Sequence, residues 1–496
     1  MTAPSPHGLI GLLIALLWLT PALAIAGIAL TRRPRWAEWL NLIAAGLVFA
    51  GTLALLICSS TLTTPAILLG HALILSPLGA WVLLCVGTVY LLASIYATGY
   101  MRMLPEEAPR LPLFYALLAA FALSMLVAPL LNSPGLYWIA IDLTTIISAF
   151  LVGFERAPEP IEAAWKYIVI VSAGLSLALL GIVLFYWGGS FAAGMVYDLT
   201  WRKLAELAPG MAPPLAALAF LLVLAGFGTK VGLVPMHTWL PDAHSEGPAP
   251  VSAMLSGALL NTALLGIVRF MTAMDDSSVA PLAHTALILI GLLSLLVAAL
   301  FIVRQTGIKR LMAYSSVEHM GVLAIGFGIG GPIGFAAAMY HMLNHSLTKS
   351  LMFFGAGNLM RAYETKDMAQ MQGFLRHFPM MGLLFLAGAV AITGAPPFGL
   401  FRSEFEVVRA GLASGYVWEI LFMALLLILI FAAFLNHIRR MAFGAAGQIA
   451  PQPINRHLSR WQTLPMWLAL IPTLLFGLWW PDAFTRFFHL ARTMLP

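Results

Sequence analysis

The sequence predicts an all-α polytopic membrane protein of about fourteen transmembrane helices, built as two inverted five-helix repeats (helices 4–8 and 9–13) with broken helices 7 and 12. Three observations predict it: a chain almost without charge, a succession of apolar runs long enough to cross a bilayer, and two Gly/Pro interruptions five spans apart. The chain has 496 residues, of which 61% are hydrophobic and only 9% charged, and its mean hydropathy is +0.93. A soluble domain carries about 25% charged residues. That deficit excludes an ordinary water-soluble enzyme, a disordered chain and a fibrous repeat. The net charge of +6 would suggest nucleic acid in a soluble protein. Here the basic residues lie in short loops between apolar runs, so membrane topology explains them better.

A spanning helix needs about 20 apolar residues. Such runs lie near 8–30, 39–62, 73–98, 112–131, 133–153, 163–187, 214–236, 247–270, 280–303, 309–330, 334–360, 379–410, 415–438 and 463–486. The first is too long for a signal-peptide core and has no basic segment before it, so it reads as a membrane helix. The connections leave no room for a soluble domain; the longest, 188–213 and 439–462, contain Pro or Gly and are otherwise ordinary. The chain is therefore expected to be one integral membrane domain over 1–496. It divides into N-terminal helices 1–3 (1–111), a first repeat (112–270), a second repeat (280–438) and a fourteenth helix (463–486). Loops after odd-numbered spans hold 16 of the 26 basic residues, Arg456 among them. That excess marks the cytoplasmic side and puts both termini on the other.

Cys58 and Cys85 lie inside apolar runs. Two cysteines without clustered partners cannot build an iron–sulfur or zinc site, so they read as packing residues. Lys166, Lys230, Lys349 and Arg402 remain within or at the edge of spans, as do Asp142, Glu318 and Glu404. A charge at the bilayer centre costs at least about 2.5–3.5 kcal/mol, so such residues are rare unless paired or beside water.

Two spans are interrupted. In the seventh, Lys230 is followed by Gly232, Pro235, His237 and Pro241; in the twelfth, Gly394-Ala-Pro396-Pro397-Phe398-Gly399 precedes Glu404. Proline removes a backbone donor, and unwound backbone at membrane depth is tolerated only inside protein or beside water. Matching interruptions point to an internal repeat, and a unit of five helices must insert inverted.

In the eleventh span His341, His345 and Lys349 recur at i, i+4 and i+8, on one helical face, with Asn344 and Thr348 nearby. Such a row can pass protons through water, because imidazole titrates near neutrality. Two histidines at i, i+4 also suit zinc, but the HExxH glutamate and an adjacent third ligand are missing. Asp142 and Lys230 each demand a buried partner, and pairing would satisfy both. Such a pair is either a static structural element or one that opens to release a proton. Lys166 reads either as part of that path or as a side chain snorkelling to the interface. Asp242, His244 and Glu246 form a loop cluster that loads protons from the cytoplasm or is simply solvated. Glu318 and His319 lie deeper, and His319 is placed to join the two halves of the row.

These motifs resemble the antiporter-like membrane subunits shared by respiratory complex I, Mrp-type sodium/proton antiporters and membrane-bound group 4 hydrogenases. The residues that carry the resemblance are Phe227 to His244, Lys309 to His319 and His341 to Lys349. Trp165-Lys-Tyr167, the run from His341 to Lys349, and Pro396 through Phe405 look most like the hydrogenase-4 component F group. The resemblance implies a proton path from a helix-5 carboxylate (Asp142) to a helix-7 lysine (Lys230). From there it continues through helix-8 and helix-11 groups to a helix-12 exit residue (Glu404). Aspartate stands at 142 where relatives usually have glutamate, which loosens contact with Lys230. Asn261 stands where many have lysine and cannot carry a proton charge. The chain is also expected to lack the long lateral helix of the largest complex I relative. The candidate proton pathway thus comprises Asp142, Lys166, Lys230, His237, Asn261, His319, His341, His345, Lys349 and Glu404.

The expected function is a proton-translocating membrane subunit of a hydrogenase-4/formate hydrogenlyase-like or complex I-like redox complex in a bacterial inner membrane. It would have no catalytic centre, cofactor or metal of its own. Other membrane and peripheral subunits would be its partners and nucleic acid would not. The alternatives are a Mrp-type sodium/proton antiporter subunit, with sodium in place of part of the proton traffic, or a membrane subunit of a non-redox inorganic-carbon uptake complex.

Overall fold

The computed structural model describes residues 6–444 and 459–495. The expected Arg456 and most of the 439–462 connection lie outside them. The described residues are almost entirely helical. Their helices are α1 (Pro6–Thr31), α2 (Pro34–Ser59), α3 (Pro77–Tyr100), α4 (Leu111–Val127), α5 (Pro134–Val152), α6 (Pro158–Ala193) and the short α7 (Trp201–Leu207). Next come α8 (Pro213–Val231), α9 (Trp239–Glu246), α10 (Ala249–Met254), α11 (Leu260–Ala273), α12 (Ala280–Ile302), α13 (Ile308–Ile329) and α14 (Gly331–Tyr363). The chain continues through α15 (Phe374–His377), α16 (Pro379–Ile392), α17 (Gly399–Ala413), α18 (Val417–Phe443), α19 (Arg460–Leu478) and α20 (Asp482–Thr493). Proline sits in the first turn of α2, α3, α5, α6, α8 and α16. There its missing N–H is no loss, and its fixed φ starts the helix.

Eleven helical segments among the described residues are long and apolar enough to cross a bilayer, so the protein is a multi-pass membrane protein. The expected fourteen is not reached on that criterion. The tenth and eleventh spans are the unbroken helices α13 and α14, but polar residues such as Glu318, His319, His341, His345 and Lys349 dilute their hydropathy. The twelfth is divided into α16 and α17. The fourteenth also differs: α19 ends at Leu478 and a separate α20 follows, because Pro481 cannot continue the helix. A two-stranded hairpin, Ala66–Leu68 with Leu73–Leu75, precedes α3 and was not legible as such.

Burial sorts the helices into an inner and an outer set. Side chains such as Leu23, Leu47 and Ile428 on α1, α2 and α18 are exposed, as a lipid-facing surface requires. The segment Ala249–Ala273, by contrast, is buried along its whole apolar window. It contains a π-helical stretch, Leu255–Leu259, just ahead of Asn261. π-Bulges in helices occur often at functional sites. α14 packs on α13, α16, α17, α3 and α10, so its entire polar face is enclosed by protein.

The two breaks share one backbone layout. α8 ends in left-handed Gly232, three residues before Pro235; α16 ends just before left-handed Gly394, three residues before Pro397. Positive φ favours glycine because a Cβ clashes there. In each break a carbonyl near the helix end binds a ring N–H: Thr229 O accepts from Trp239 Nε1 at 2.7 Å, and Ile392 O bonds His319 Nε2 at 3.0 Å.

Candidate proton-conducting row

Lys230 is fully buried at the last turn of α8. A cation suits that end of a helix, where free carbonyls concentrate negative partial charge. Its ammonium donates to Thr145 Oγ1 at 2.7 Å and to Tyr167 Oη at 2.6 Å. Tyr167 Oη is 2.8 Å from Ser148 Oγ. Thr145 and Ser148 follow Asp142 at i+3 and i+6 on α5, and Tyr167 comes from α6.

No ion pair joins Lys230 to Asp142 among the described residues, contrary to the expected pairing. Asp142 is half-buried, and the two hydroxyls take the place of its carboxylate. The aspartate side chain is one methylene shorter than glutamate, and this arrangement leaves it short of the amine. Electrostatic attraction between the two groups persists across the gap.

Lys166 is not brought to this site. Its neighbour Tyr167 points inward, while Lys166 lies at the surface, 2.6 Å from Glu162 and 3.4 Å from Asp242. Asp242 also pairs with Arg310, and Glu246 with Lys366 at 2.5 Å. The expected loop cluster is therefore helical, as α9, and its two acids are tied into ion pairs at the surface. His244 from the same cluster is fully buried instead, stacked on Phe353 of α14 at 5.0 Å. Lys309, Lys349 and His345 lie within its electrostatic reach. The sequence carried a signal for this: His244 falls four residues after apolar Leu240 and so shares its inward face. His237 sits in the first break, buried, with its ring 6.2 Å from that of Tyr314.

The second constellation assembles around α14. His341, His345 and Lys349 are fully buried and on one face. His341 Nε2 lies 3.1 Å from His319 Nδ1 on α13, and the rings of His319 and His345 are 5.4 Å apart. Lys349 donates to Met312 O at 3.0 Å. Glu318, beside His319, is buried and within electrostatic reach of Lys349. Glu404 Oε1 lies 3.9 Å from His319 Nδ1. Its carboxylate folds back against Gly394, where a Cβ would collide with it.

Ser403, which the sequence gave no reason to single out, lies 2.9 Å from His341 Nδ1. Asn261 donates to Ser346 Oγ at 3.0 Å and to Met342 O at 3.3 Å, fixing the wall of α14 beside the row. Arg402 faces outward and pairs with Glu406 at 3.5 Å, so it takes no part. Arg269 is buried in α11, with Nη2 donating to Pro129 O at 2.7 Å and the guanidinium over Trp201.

The protein thus holds a basic station (Lys230, Thr145, Tyr167) and a histidine–carboxylate station (His319, His341, His345, Glu404), with His244, Lys349 and Glu318 beside the second. Groups of this spacing exchange protons directly or through one bridging water. His319, His341 and Glu404 each offer one nitrogen or oxygen atom, and these atoms lie within 4.8 Å of one another.

A family model described as NADH:quinone oxidoreductase/Mrp antiporter, transmembrane, matches residues 134–432. A hydrogenase-4 component F homolog from Methylacidiphilum infernorum is 36% identical over 384 residues, covering 76% of this chain and 79% of that protein. Hydrogenase-4 component B of Escherichia coli is 29% identical over 385 residues, covering 75% of this chain. The chain spans 52% of that longer relative's length. Among solved structures, a chain of the Mrp complex from Dietzia superposes with a TM-score of 0.85 at 19% identity, over 98% of both chains. At that identity the likeness is one of fold.

Proposed function

The chain belongs to the NADH:quinone oxidoreductase/Mrp antiporter transmembrane family, and on that premise we propose that it moves protons as the membrane subunit of a hydrogenase-4-like or complex I-like redox complex. The observation that carries this reading is the second constellation: three histidines, a lysine and two glutamates enclosed in the middle of a chain that carries only 9% charged residues. Burying them is costly, and ionisable residues kept inside membrane segments mark ion pathways and proton relays. The route runs from Asp142 and Lys230 through His319, His341, His345 and Lys349 to Glu404, with His237, His244 and Asn261 along its wall. Lys166 stands at the surface mouth rather than in the row.

Electron transfer belongs to partner subunits, membrane and peripheral, and their redox step supplies the electrostatic or conformational push. The membrane is the bacterial inner membrane, and both termini lie outside the cytoplasm, as the distribution of Arg and Lys indicates.

The test is Lys230→Met in the purified complex reconstituted into vesicles. Proton uptake should fall to background while partner redox activity with artificial acceptors persists. Unchanged proton uptake sinks the reading. Transport that needs sodium but no redox substrate would favour the sodium/proton antiporter instead.

A further inference from the structure

His341 and His345 have the spacing of a zinc pair in the sequence but no third ligand beside them. The fold puts different partners together. The rings of His341 and His345 are 6.4 Å apart, whereas His341 Nε2 faces His319 Nδ1 of α13 at 3.1 Å. Glu404, from α17, brings Oε1 to 3.9 Å from the same Nδ1. One nitrogen or oxygen from each of the three side chains lies within 4.8 Å of the others, and all three residues are buried. Tetrahedral zinc, with bonds of about 2.0–2.2 Å to nitrogen and oxygen, holds neighbouring ligand atoms about 3.3 Å apart. The two nitrogens already stand near that spacing. The carboxylate has to close on His319 by about 0.6 Å. His345 lies outside the group, so the fourth position falls to water.

The far side of each ring is held as a zinc ligand requires. A metal-bound imidazole gives its other N–H to a carbonyl or similar acceptor, which fixes ring and tautomer. His319 Nε2 gives its hydrogen to Ile392 O at 3.0 Å, so the neutral ring keeps a lone pair at Nδ1. His341 Nδ1 lies 2.9 Å from Ser403 Oγ, and that hydroxyl lies 2.8 Å from Leu400 O. Ser403 therefore serves two arrangements. With its hydrogen on His341 Nδ1, His341 donates from Nε2 to His319, and the neutral pair is satisfied without a metal. With its hydrogen on Leu400 O, Ser403 accepts from Nδ1, and Nε2 presents a lone pair beside that of His319. Glu404 Oε1 has no hydrogen-bond partner among the described residues. The Lys349 ammonium, on the helix of His341, donates to Met312 O at 3.0 Å.

We propose that His319, His341 and Glu404 form an inhibitory zinc site. Zn2+ is bound by two imidazoles and one carboxylate, with water in the fourth position. The ion occupies the lone pairs that a passing proton needs, so it closes the row. The way in is past Glu404, whose side chain is 10% exposed while that of His319 is fully enclosed. Inhibition rests on the transport reading above. Binding does not, and it is measured without any transport.

The experiment titrates Co2+ and then Zn2+ into the purified full chain in detergent at about pH 7.5, roughly one unit above an ordinary histidine. Co2+ stands in for zinc, because its visible bands strengthen when it becomes four-coordinate. The native chain should give these bands, lose them to competing Zn2+ and retain one Zn2+ per chain in equilibrium dialysis. His319→Gln, His341→Gln and Glu404→Gln should each lose the bands. His437→Gln, which changes a histidine bonded to Ile302 O, should keep them. Ser403→Ala leaves all three ligands in place and removes only the acceptor behind His341. Its zinc affinity should fall about 10–100-fold, a change that binding by surface histidines would not show. If the glutamine variants fail to fold, Ser403→Ala carries the test. In vesicles of the native protein, proton uptake should fall over the zinc range in which the site fills.

Absence of four-coordinate Co2+ from the native chain overturns the proposal. So does unchanged affinity in His341→Gln, Glu404→Gln or Ser403→Ala, which would mean adventitious binding at the surface. Zinc that fills the site and leaves proton uptake intact overturns the inhibition. Zinc bound as stated to a protein that moves no protons would leave the metal site standing and remove the transport reading instead.

Discussion

At the first break the chain turns through Gly232 and Pro235, and Thr229 O takes the indole N–H of Trp239. At the second it turns through Gly394 and Pro397, and Ile392 O takes a ring nitrogen of His319. The backbone device is the same, but the partner is a fixed donor in one case and a titratable ring in the other. The ionisable groups differ as well. Lys230 ends the leading half-helix and is satisfied by two hydroxyls. Glu404 lies in the trailing half-helix, with one oxygen lacking a hydrogen-bond partner among the described residues and histidines as neighbours. An ammonium with two of its three hydrogens bonded is held in place, whereas an under-bonded carboxylate beside imidazoles attracts a proton. On the proposed transport reading, the first break holds a proton and the second exchanges it.

The strongest way to break that contrast is to neutralise both sites. Glu404→Gln should match Lys230→Met and reduce proton uptake by vesicles to background, since a serial path fails at either end. Substantial uptake in Glu404→Gln would mean that the row leaves by another route.

A smaller effect comes from the two turn glycines. Gly394→Ala puts a Cβ onto the Glu404 carboxylate, and Gly232→Ala puts one onto Leu240, each at a positive φ. Both should lose about 1–3 kcal/mol of stability from backbone strain, read as a lowered Tm in detergent. Only Gly394→Ala should lose transport beyond what its folded fraction explains. Equal transport losses would erase the distinction between the breaks.

Next in size is Tyr167→Phe, which leaves the buried ammonium one acceptor short at a cost of about 1–3 kcal/mol. Because no ion pair joins Asp142 to Lys230, Asp142→Asn should slow transport less than Lys230→Met in the same vesicle assay. Equal losses would show that the pair closes during turnover. The smallest effect belongs to Lys166→Ala, whose surface ion pairs with Glu162 and Asp242 are solvent-screened. Transport and Tm should stay within error of the native protein.

Much of this was legible in the chain. The apolar runs located the helices because each must exceed the bilayer thickness. The i, i+4, i+8 spacing put His341, His345 and Lys349 on one face because helical geometry is local. Gly232, Pro235, Gly394 and Pro397 marked the breaks because their backbone restrictions are their own. The contacts of Tyr167, Thr145 and Ser403 escaped notice because hydroxyl residues are common in membrane helices and nothing local says which one meets a charge. Lys166 and Tyr167 are adjacent in sequence, yet one faces solvent and the other a buried amine, and only the packing of α6 on α8 decides which.

What the sequence determined by itself, then, is what local covalent and helical constraint sets: the membrane class, the apolar runs, the two interruptions and the one helical face shared by His341, His345 and Lys349. The tertiary structure alone decided who meets whom. It replaced the expected Asp142–Lys230 pair with two hydroxyls, buried His244, and brought α13, α14 and α17 together so that His319, His341 and Glu404 converge. The physical reason is range. Hydropathy and backbone preference act within a few residues, whereas a buried charge is satisfied by whichever side chain another helix delivers to it.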